Sequence, residues 1–333
     1  RDVPVPSPGP GQVLVEMRAS TICGSDLRAI YREHLGTGAE AYQGVIGGHE
    51  PCGVVASVGA GVTTYAPGDR VVVYHIAGCG TCPDCASGYD ISCQSPERRA
   101  YGWQRDGGHA EYLLAEQRSL VRMPDAVSFL DGASVACSGG TAYEALCRLD
   151  VSGRDTLLVT GLGPVGLAAG MLGKAMGATT VIGVDPSAER RALAVERAGF
   201  DEVLDATDDA PAEVRRLTGG HGCETAIDCS GVGSARVTAV AGVRRWGRVA
   251  FVGEGGRVDL DVSGLLIHRN VTVFGSWVTS RWRTAELLER LARWGLRLDA
   301  LVTHEFPLER VADAYAVADT GAAGKVAVVA GAG

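Results

Sequence analysis

Four of the ten cysteines in this 333-residue chain, Cys79, Cys82, Cys85 and Cys93, fall within fifteen positions, spaced C-x2-C-x2-C-x7-C. Four thiolates at that spacing suit a tetrahedral metal ion, and four protein ligands close its shell, so such a site shapes a loop and performs no chemistry. The intervening Gly80, Pro83, Asp84 and Gly88 suit a loop wrapped around an ion. Two disulfides, a redox C-x-x-C pair and an iron–sulfur cluster are the alternatives. The clustering, and the absence of a visible secretion signal, favour structural zinc in a reducing compartment, so a cytoplasmic protein is expected.

A second group is Gly161-Leu162-Gly163-Pro164-Val165-Gly166, which fits G-x-G-x-x-G. In a chain with 47 glycines the string alone is weak and also reads as a plain turn. Its context is stronger. It follows the apolar run Thr156–Thr160, opens a small-residue helix from about Val165 to Met176, and is followed by Asp185 at the end of the run Thr180–Asp185. Glycines permit close backbone approach, and a helix N-terminus offers N–H groups to a pyrophosphate. Asp185 can accept ribose hydroxyls and repels the 2′-phosphate of NADP, so NAD is favoured, with Arg190 and Arg191 as the features that would suit NADP.

The elements that must carry these groups divide into two textures. Up to about Asp150, short β segments such as Gly53–Gly59 and Asp69–Val73 alternate with glycine and proline turns and predict a mainly antiparallel β region. Beyond it, the runs 156–160, 180–185, 225–229 and 248–252 alternate with helical stretches, including Ala188–Ala198, and predict a doubly wound parallel sheet. Thr284–Trp294 is a further helix, and the tail from Leu301 is expected to return to the first domain. The expected domains are 1–145, containing a zinc lobe at about 76–96, then 146–278, with 279–333 rejoining the first. Hydrophobic residues at 46 % and charged residues at 21 % suit a globular chain, and a net charge of −8 without a basic stripe disfavours nucleic acid or an anionic membrane. No apolar run is long enough to span a bilayer. The opening Arg1-Asp2-Val3-Pro4 reads like the middle of a domain, so residues are expected to precede it.

Three further groups are uninformative singly: Cys23-Gly24-Ser25-Asp26, Gly47-Gly48-His49-Glu50 and Cys137-Ser138-Gly139-Gly140-Thr141. Taken in order with Pro67-Gly68-Asp69-Arg70-Val71, the four-cysteine lobe, Gly107-Gly108-His109-Ala110-Glu111-Tyr112 and the glycine motif, the whole chain resembles the zinc-containing medium-chain alcohol dehydrogenase family. The resemblance implies a GroES-like catalytic domain plus a Rossmann cofactor domain. It implies a catalytic zinc on Cys23, His49 and Cys137, with Glu50 as an alternate ligand, besides the structural zinc, hence two per chain. Ser25 matches the hydroxyl that takes the substrate proton; Thr141 and Lys325 match cofactor contacts. Two thiolates and one imidazole leave zinc an open position, where a bound alcohol ionises near neutral pH and passes hydride to NAD, or a carbonyl is reduced in reverse.

Arg28 stands where some members of that family place a relay histidine, and a guanidinium is a poor proton shuttle. His34 is an alternative outer end of the relay, and the long stretch between Cys23 and His49, with Tyr31, Gly36, Gly38 and Tyr42, reads as a surface excursion or a pocket-shaping loop. His75, His109, His221, His268 and His304 read as structural or surface groups, and Cys52, Cys147, Cys223 and Cys229 as core thiols. The expected substrate is an alcohol or carbonyl compound. A polyol, aminocyclitol or amino-alcohol dehydrogenase of the same family is the near alternative, and a non-catalytic zinc-bearing dinucleotide-binding protein the distant one. The apolar strand Val271–Gly275 suits edge-to-edge pairing in a homodimer or homotetramer.

Overall fold

A computed structural model describes residues 2–31, 41–207 and 209–330. The chain forms two compact units, one of residues 1–140, 279–321 and 325–333, the other of residues 141–278 and 322–324. The first crossing lies at the start of the helix Gly140–Arg148, ahead of the expected position 145. The crossing falls just after Gly139-Gly140, where a π-helical turn runs straight into that helix rather than into a loop.

The first unit holds a seven-stranded sheet. Its order is Val302–Pro307, Lys325–Val329, Gln12–Ile22, Glu50–Val58, Arg70–Val73 and Leu120–Arg122, with Tyr112–Glu116 also pairing with Gln12–Ile22. All pairings are antiparallel except that of Val302–Pro307 with Lys325–Val329. Alternate residues Val13, Val15 and Met17 meet Val55, Val71, Val73, Leu113 and Ala115 in the core. Register then decides where the chemistry goes. Ile22 pairs with Val326 and Thr21 with Glu50, so Cys23, His49-Glu50 and Lys325 emerge together at one end of three neighbouring strands.

The second unit is a six-stranded, all-parallel sheet in the order Glu202–Leu204, Thr180–Val184, Thr156–Thr160, Cys223–Asp228, Val243–Phe251 and Thr272–Gly275. The strand order reverses between Thr156–Thr160 and Cys223–Asp228, the point where open α/β sheets bind ligands. The strands Thr156–Thr160 and Thr180–Val184 match their runs, those expected at 225–229 and 248–252 begin earlier, at Cys223 and Val243, and Glu202–Leu204 is an additional edge strand. The helix Ala188–Ala198 matches, capped by Ser187 and closed by left-handed Gly199. The helix Arg281–Trp294 starts nearly a turn before the expected Thr284, because Ser280 accepts the Arg283 N–H as its N-cap.

Strand Glu50–Val58 crosses strand Gln12–Ile22 so closely that a Cβ on Gly53 would lie 2.1 Å from the Glu16 carbonyl oxygen. Gly53→Ala is therefore expected to destabilise the first unit by about 2–3 kcal/mol, read as a lowered urea midpoint; an unchanged midpoint contradicts the register.

Candidate metal centres and dinucleotide site

The ligand atoms of Cys23, His49, Glu50 and Cys137 lie within 4.8 Å of one another. Cys23 follows one strand, His49 precedes the next and Glu50 opens it. Cys137 sits in a π-helical turn, Val135–Gly139, between the helices Phe129–Ser134 and Gly140–Arg148. Such widened turns often mark functional sites, and this one also aims the Ser138 N–H at the Glu50 carboxylate, 3.1 Å away.

The Asp26 carboxylate organises two of the ligands. One oxygen accepts the Cys23 N–H at 2.9 Å; the other lies 2.7 Å from His49 Nδ1, and Asp26 is buried. An acceptor on Nδ1 fixes the proton there and leaves Nε2 free as a metal ligand. Ser25 Oγ lies 3.4 Å from that Nε2. Burial opposes charge on His49, yet Asp26 holds its pKa well above the usual value. Hydrogen bonding with Cys137 and His49 outweighs burial and brings the Cys23 thiol well below its usual range. In the sequence Asp26 is marked only by its place, three positions after Cys23 and in the first turn of a helix.

Glu50 is fully buried and held by three donors: Thr21 Oγ1 at 2.5 Å, the Ser138 N–H and the Lys325 ammonium. Burial raises its pKa, against the pull of Lys325. Lys325 is itself almost fully buried. Lys325, expected at the cofactor, opens the strand next to Gln12–Ile22, and that register turns its ammonium onto Glu50.

His75 and His109 support the same end of the sheet. The His75 ring lies 5.3 Å from that of His49, and its Nδ1–H donates to the Ala136 carbonyl at 3.0 Å. His109 covers Gly48, where a Cβ would fall 2.7 Å from its ring, and its Nδ1 lies 3.1 Å from the Tyr315 hydroxyl. Arg28 belongs to the helix Gly24–Tyr31; His34, Gly36 and Gly38 lie outside the described residues.

The four-cysteine lobe gathers Cys79, Cys82, Cys85 and Cys93 within 4.8 Å, all as free thiols. Backbone N–H groups point at the sulfurs: Cys79 N to Cys93 Sγ at 3.4 Å, Cys82 N to Cys79 Sγ at 3.3 Å and Cys85 N to Cys82 Sγ at 3.5 Å. Hydrogen bonds from Thr81 pull the Cys79 thiol down to about 6. Four converging sulfurs with amide donors behind them fit zinc thiolates and no open coordination position. Arg281 anchors the lobe, its Nε 2.5 Å from buried Asp90 and its Nη2 donating to the Cys85 carbonyl at 2.9 Å.

In the parallel unit, Gly161 has a φ of +86° and a Cβ there would lie 2.7 Å from Ser230; a Cβ on Gly166 would lie 1.9 Å from the Gly161 carbonyl oxygen. Gly163 is the N-cap of the helix Pro164–Ala175, with no side-chain cap for its first N–H groups, and the nearest atom to a Cβ on Gly163 is Arg190 Nη1, 4.0 Å away. Val165 follows in the first turn, so an anion can approach these amides, as a pyrophosphate requires. Asp185 is buried at its strand end, accepting Leu162 N–H at 2.7 Å and Ser187 N–H at 2.8 Å, with Arg190 3.8 Å away. The Thr141 hydroxyl is buried without a hydrogen-bond partner among the described residues, which fits a cofactor contact.

Losing the Asp26 support should weaken metal binding at one cluster alone. Asp26→Asn is expected to lower zinc affinity there about 10–100-fold, measured by chelator competition, with the four-cysteine zinc retained; equal loss from both clusters contradicts this. Burial, foremost, presses His109 down to about 4, against ~6.5 unfolded. The unfolded chain thus binds the extra proton between those values. Stability is present above pH ~6.5, falls with a slope of up to ~1.4 kcal/mol per pH unit, and is fully lost below the folded value. His109→Phe should flatten that slope in urea unfolding with excess EDTA; an unchanged slope refutes the assignment.

Two family profiles match, the alcohol dehydrogenase GroES-like domain over residues 9–125 and the zinc-binding dehydrogenase domain over residues 164–293. The chain is 47% identical over 333 residues to the uncharacterized zinc-type alcohol dehydrogenase-like protein YphC of Escherichia coli (strain K12), covering 98% of this chain and 94% of that protein. It is 33% identical over 329 residues to an L-threonine 3-dehydrogenase of Pyrococcus abyssi, covering 98% and 93%. Among solved structures, the alcohol dehydrogenase TADH from Thermus sp. ATN1 superposes with a TM-score of 0.88 at 28% identity, over 99% of this chain and 96% of that one. With both halves matched and relatives covering nearly its whole length, the chain belongs to the zinc-containing medium-chain alcohol dehydrogenase family.

Proposed function

We propose that the chain interconverts an alcohol and its carbonyl compound, with NAD as the hydride carrier and zinc held by Cys23, His49 and Cys137. The observation that carries this reading is the convergence of those three donors with Glu50, backed by Asp26. Two thiolates and one imidazole are the donor set of an open zinc site. When bound there, zinc acidifies an alcohol or polarises a carbonyl, and the nicotinamide exchanges the hydride.

The protein groups do the rest. Asp26 accepts the Nδ1–H of His49 as its hydrogen bond and so turns Nε2 to the metal as a strengthened donor, and Ser25, 3.4 Å from it, receives the substrate proton. With Arg28 in place of an imidazole, that proton leaves to water. Glu50, tied to Thr21, Ser138 and Lys325, is the alternate ligand and moves only by releasing these donors. The lobe of Cys79, Cys82, Cys85 and Cys93 takes the second zinc and stays closed to substrate.

The glycine turn with Thr141 and Asp185 takes NAD. The buried Asp185 carboxylate repels a 2′-phosphate, and Arg190 already faces that carboxylate, which favours NAD over NADP. An amino alcohol is the second substrate class, favoured by similarity to L-threonine 3-dehydrogenase over 98% of the chain. Strand Thr272–Gly275, without a partner on its outer side among the described residues, suits pairing with a second copy in a homodimer or homotetramer.

The deciding experiment follows NADH formation against primary and secondary alcohols, polyols and amino alcohols, alongside metal analysis. Two zincs per chain are expected. Cys23→Ala should reduce turnover by at least ~10³-fold while one zinc per chain remains. Surviving turnover, or a single zinc in the unaltered protein, sinks the catalytic assignment.

A further inference from the structure

Asp228 ends the strand Cys223–Asp228, beside the strand-order reversal, and is completely buried. A lone carboxylate there is unfavourable unless it is fully paired. One oxygen accepts the Thr160 hydroxyl at 3.0 Å, the Ser230 N–H at 3.1 Å and the Ser230 hydroxyl at 2.6 Å. The other accepts the Gly231 N–H at 3.1 Å and faces Arg236 Nε at 3.4 Å. The Arg236 side chain is nearly buried too, and its Nη2 donates to the Gly253 carbonyl at 2.7 Å.

The residues so tied follow three neighbouring strands: Thr160 precedes Gly161, Ser230 and Gly231 follow Asp228, and Gly253 follows the strand ending at Phe251. They are in direct contact. A Cβ on Gly253 would lie 2.1 Å from the Gly231 nitrogen, and one on Gly161 would lie 2.7–2.9 Å from Ser230 Cβ, N and Cα. Gly161 therefore rests on Ser230, and Ser230 is fixed by Asp228. From the other side, Asp185 holds the same turn through the Leu162 N–H.

We propose that Asp228, locked by Arg236, is a positioning residue that sets the placement of the Gly161–Gly163 turn, and thereby the grip on the dinucleotide. The assignment rests on the NAD reading above. An amide in place of the carboxylate turns a donor toward Gly231 or Arg236 and leaves the buried guanidinium without its counter-charge. The turn then loses the support against which Gly161 packs, while the zinc clusters, in the other unit, are untouched.

The test is NADH binding by fluorescence titration on the full-length, zinc-loaded chain, with zinc content measured in the same samples. Asp228→Asn is expected to weaken NADH binding about tenfold or more, and Ser230→Ala, which removes one hydroxyl, about threefold to fivefold. Zinc per chain should stay unchanged, and KM for NAD should rise while KM for the alcohol does not. NADH affinities within about twofold of the parent in both variants overturn the assignment. So does an affinity loss matched by loss of zinc, which marks general unfolding. If Asp228→Asn does not fold, Ser230→Ala decides by the same criteria. An unaltered chain that binds no NADH overturns the cofactor reading itself, and so separates the two failures.

Discussion

The register of three strands governs the candidate catalytic cluster. Gln12–Ile22 lies between Glu50–Val58 and Lys325–Val329, antiparallel to both. Its C-terminal end therefore meets the N-terminal ends of its neighbours, and Cys23 and His49-Glu50 meet Lys325, which lies 275 or more positions further along the chain. A slip of one residue would move every side chain of a strand to the opposite face. The close passage at Gly53 and the packing of Val13, Val15 and Met17 penalise such a slip. The same contacts that form the core of the first unit thus set where the metal ligands stand.

At the end of those strands the problem becomes one of buried charge. Glu50 and Lys325 are each almost inaccessible, and either alone would be strongly unfavourable. Together they neutralise one another, and Thr21 and the Ser138 N–H add hydrogen bonds to Glu50. It places one negative and one positive group beside two thiols, so the local charge balance does not depend on solvent. Asp26 acts likewise on His49: one carboxylate sets a tautomer and a backbone position at once.

Much of this was legible in the sequence. The parallel strands announced themselves as short apolar runs, because strands buried on both faces need no alternation. The glycine motif was legible because its strand, turn and helix are contiguous. Family resemblance supplied Cys23, His49 and Cys137, which no local spacing connects. The ion pair of Lys325 was illegible for the same reason: Glu50 is 275 positions away, and only strand pairing brings the two together. Asp26 was visible but unassigned, since its role depends on which nitrogen of a distant imidazole it meets. Asp228 carried no signal beyond a strand-end acid, because beside its neighbours Ser230 and Gly231 it is joined by Thr160 on the adjacent strand and by Arg236 on the next helix, which only the fold brings to it.

The two candidate metal clusters differ in how they depend on the fold. The lobe draws all four donors from residues 79–93 and supports them with its own amide N–H groups. The other cluster draws on two strand ends and a π-helical turn. Metal affinity at a site made by distant segments includes the free energy of holding those segments together, whereas a local loop contributes most of its own geometry. Destabilising the sheet of the first unit should therefore affect the Cys23–His49–Cys137 site before the lobe. The site assigned to chemistry is also the one most exposed to the marginal stability of the fold, so its supports, Asp26, Thr21 and the Glu50–Lys325 pair, are buried rather than placed at the surface.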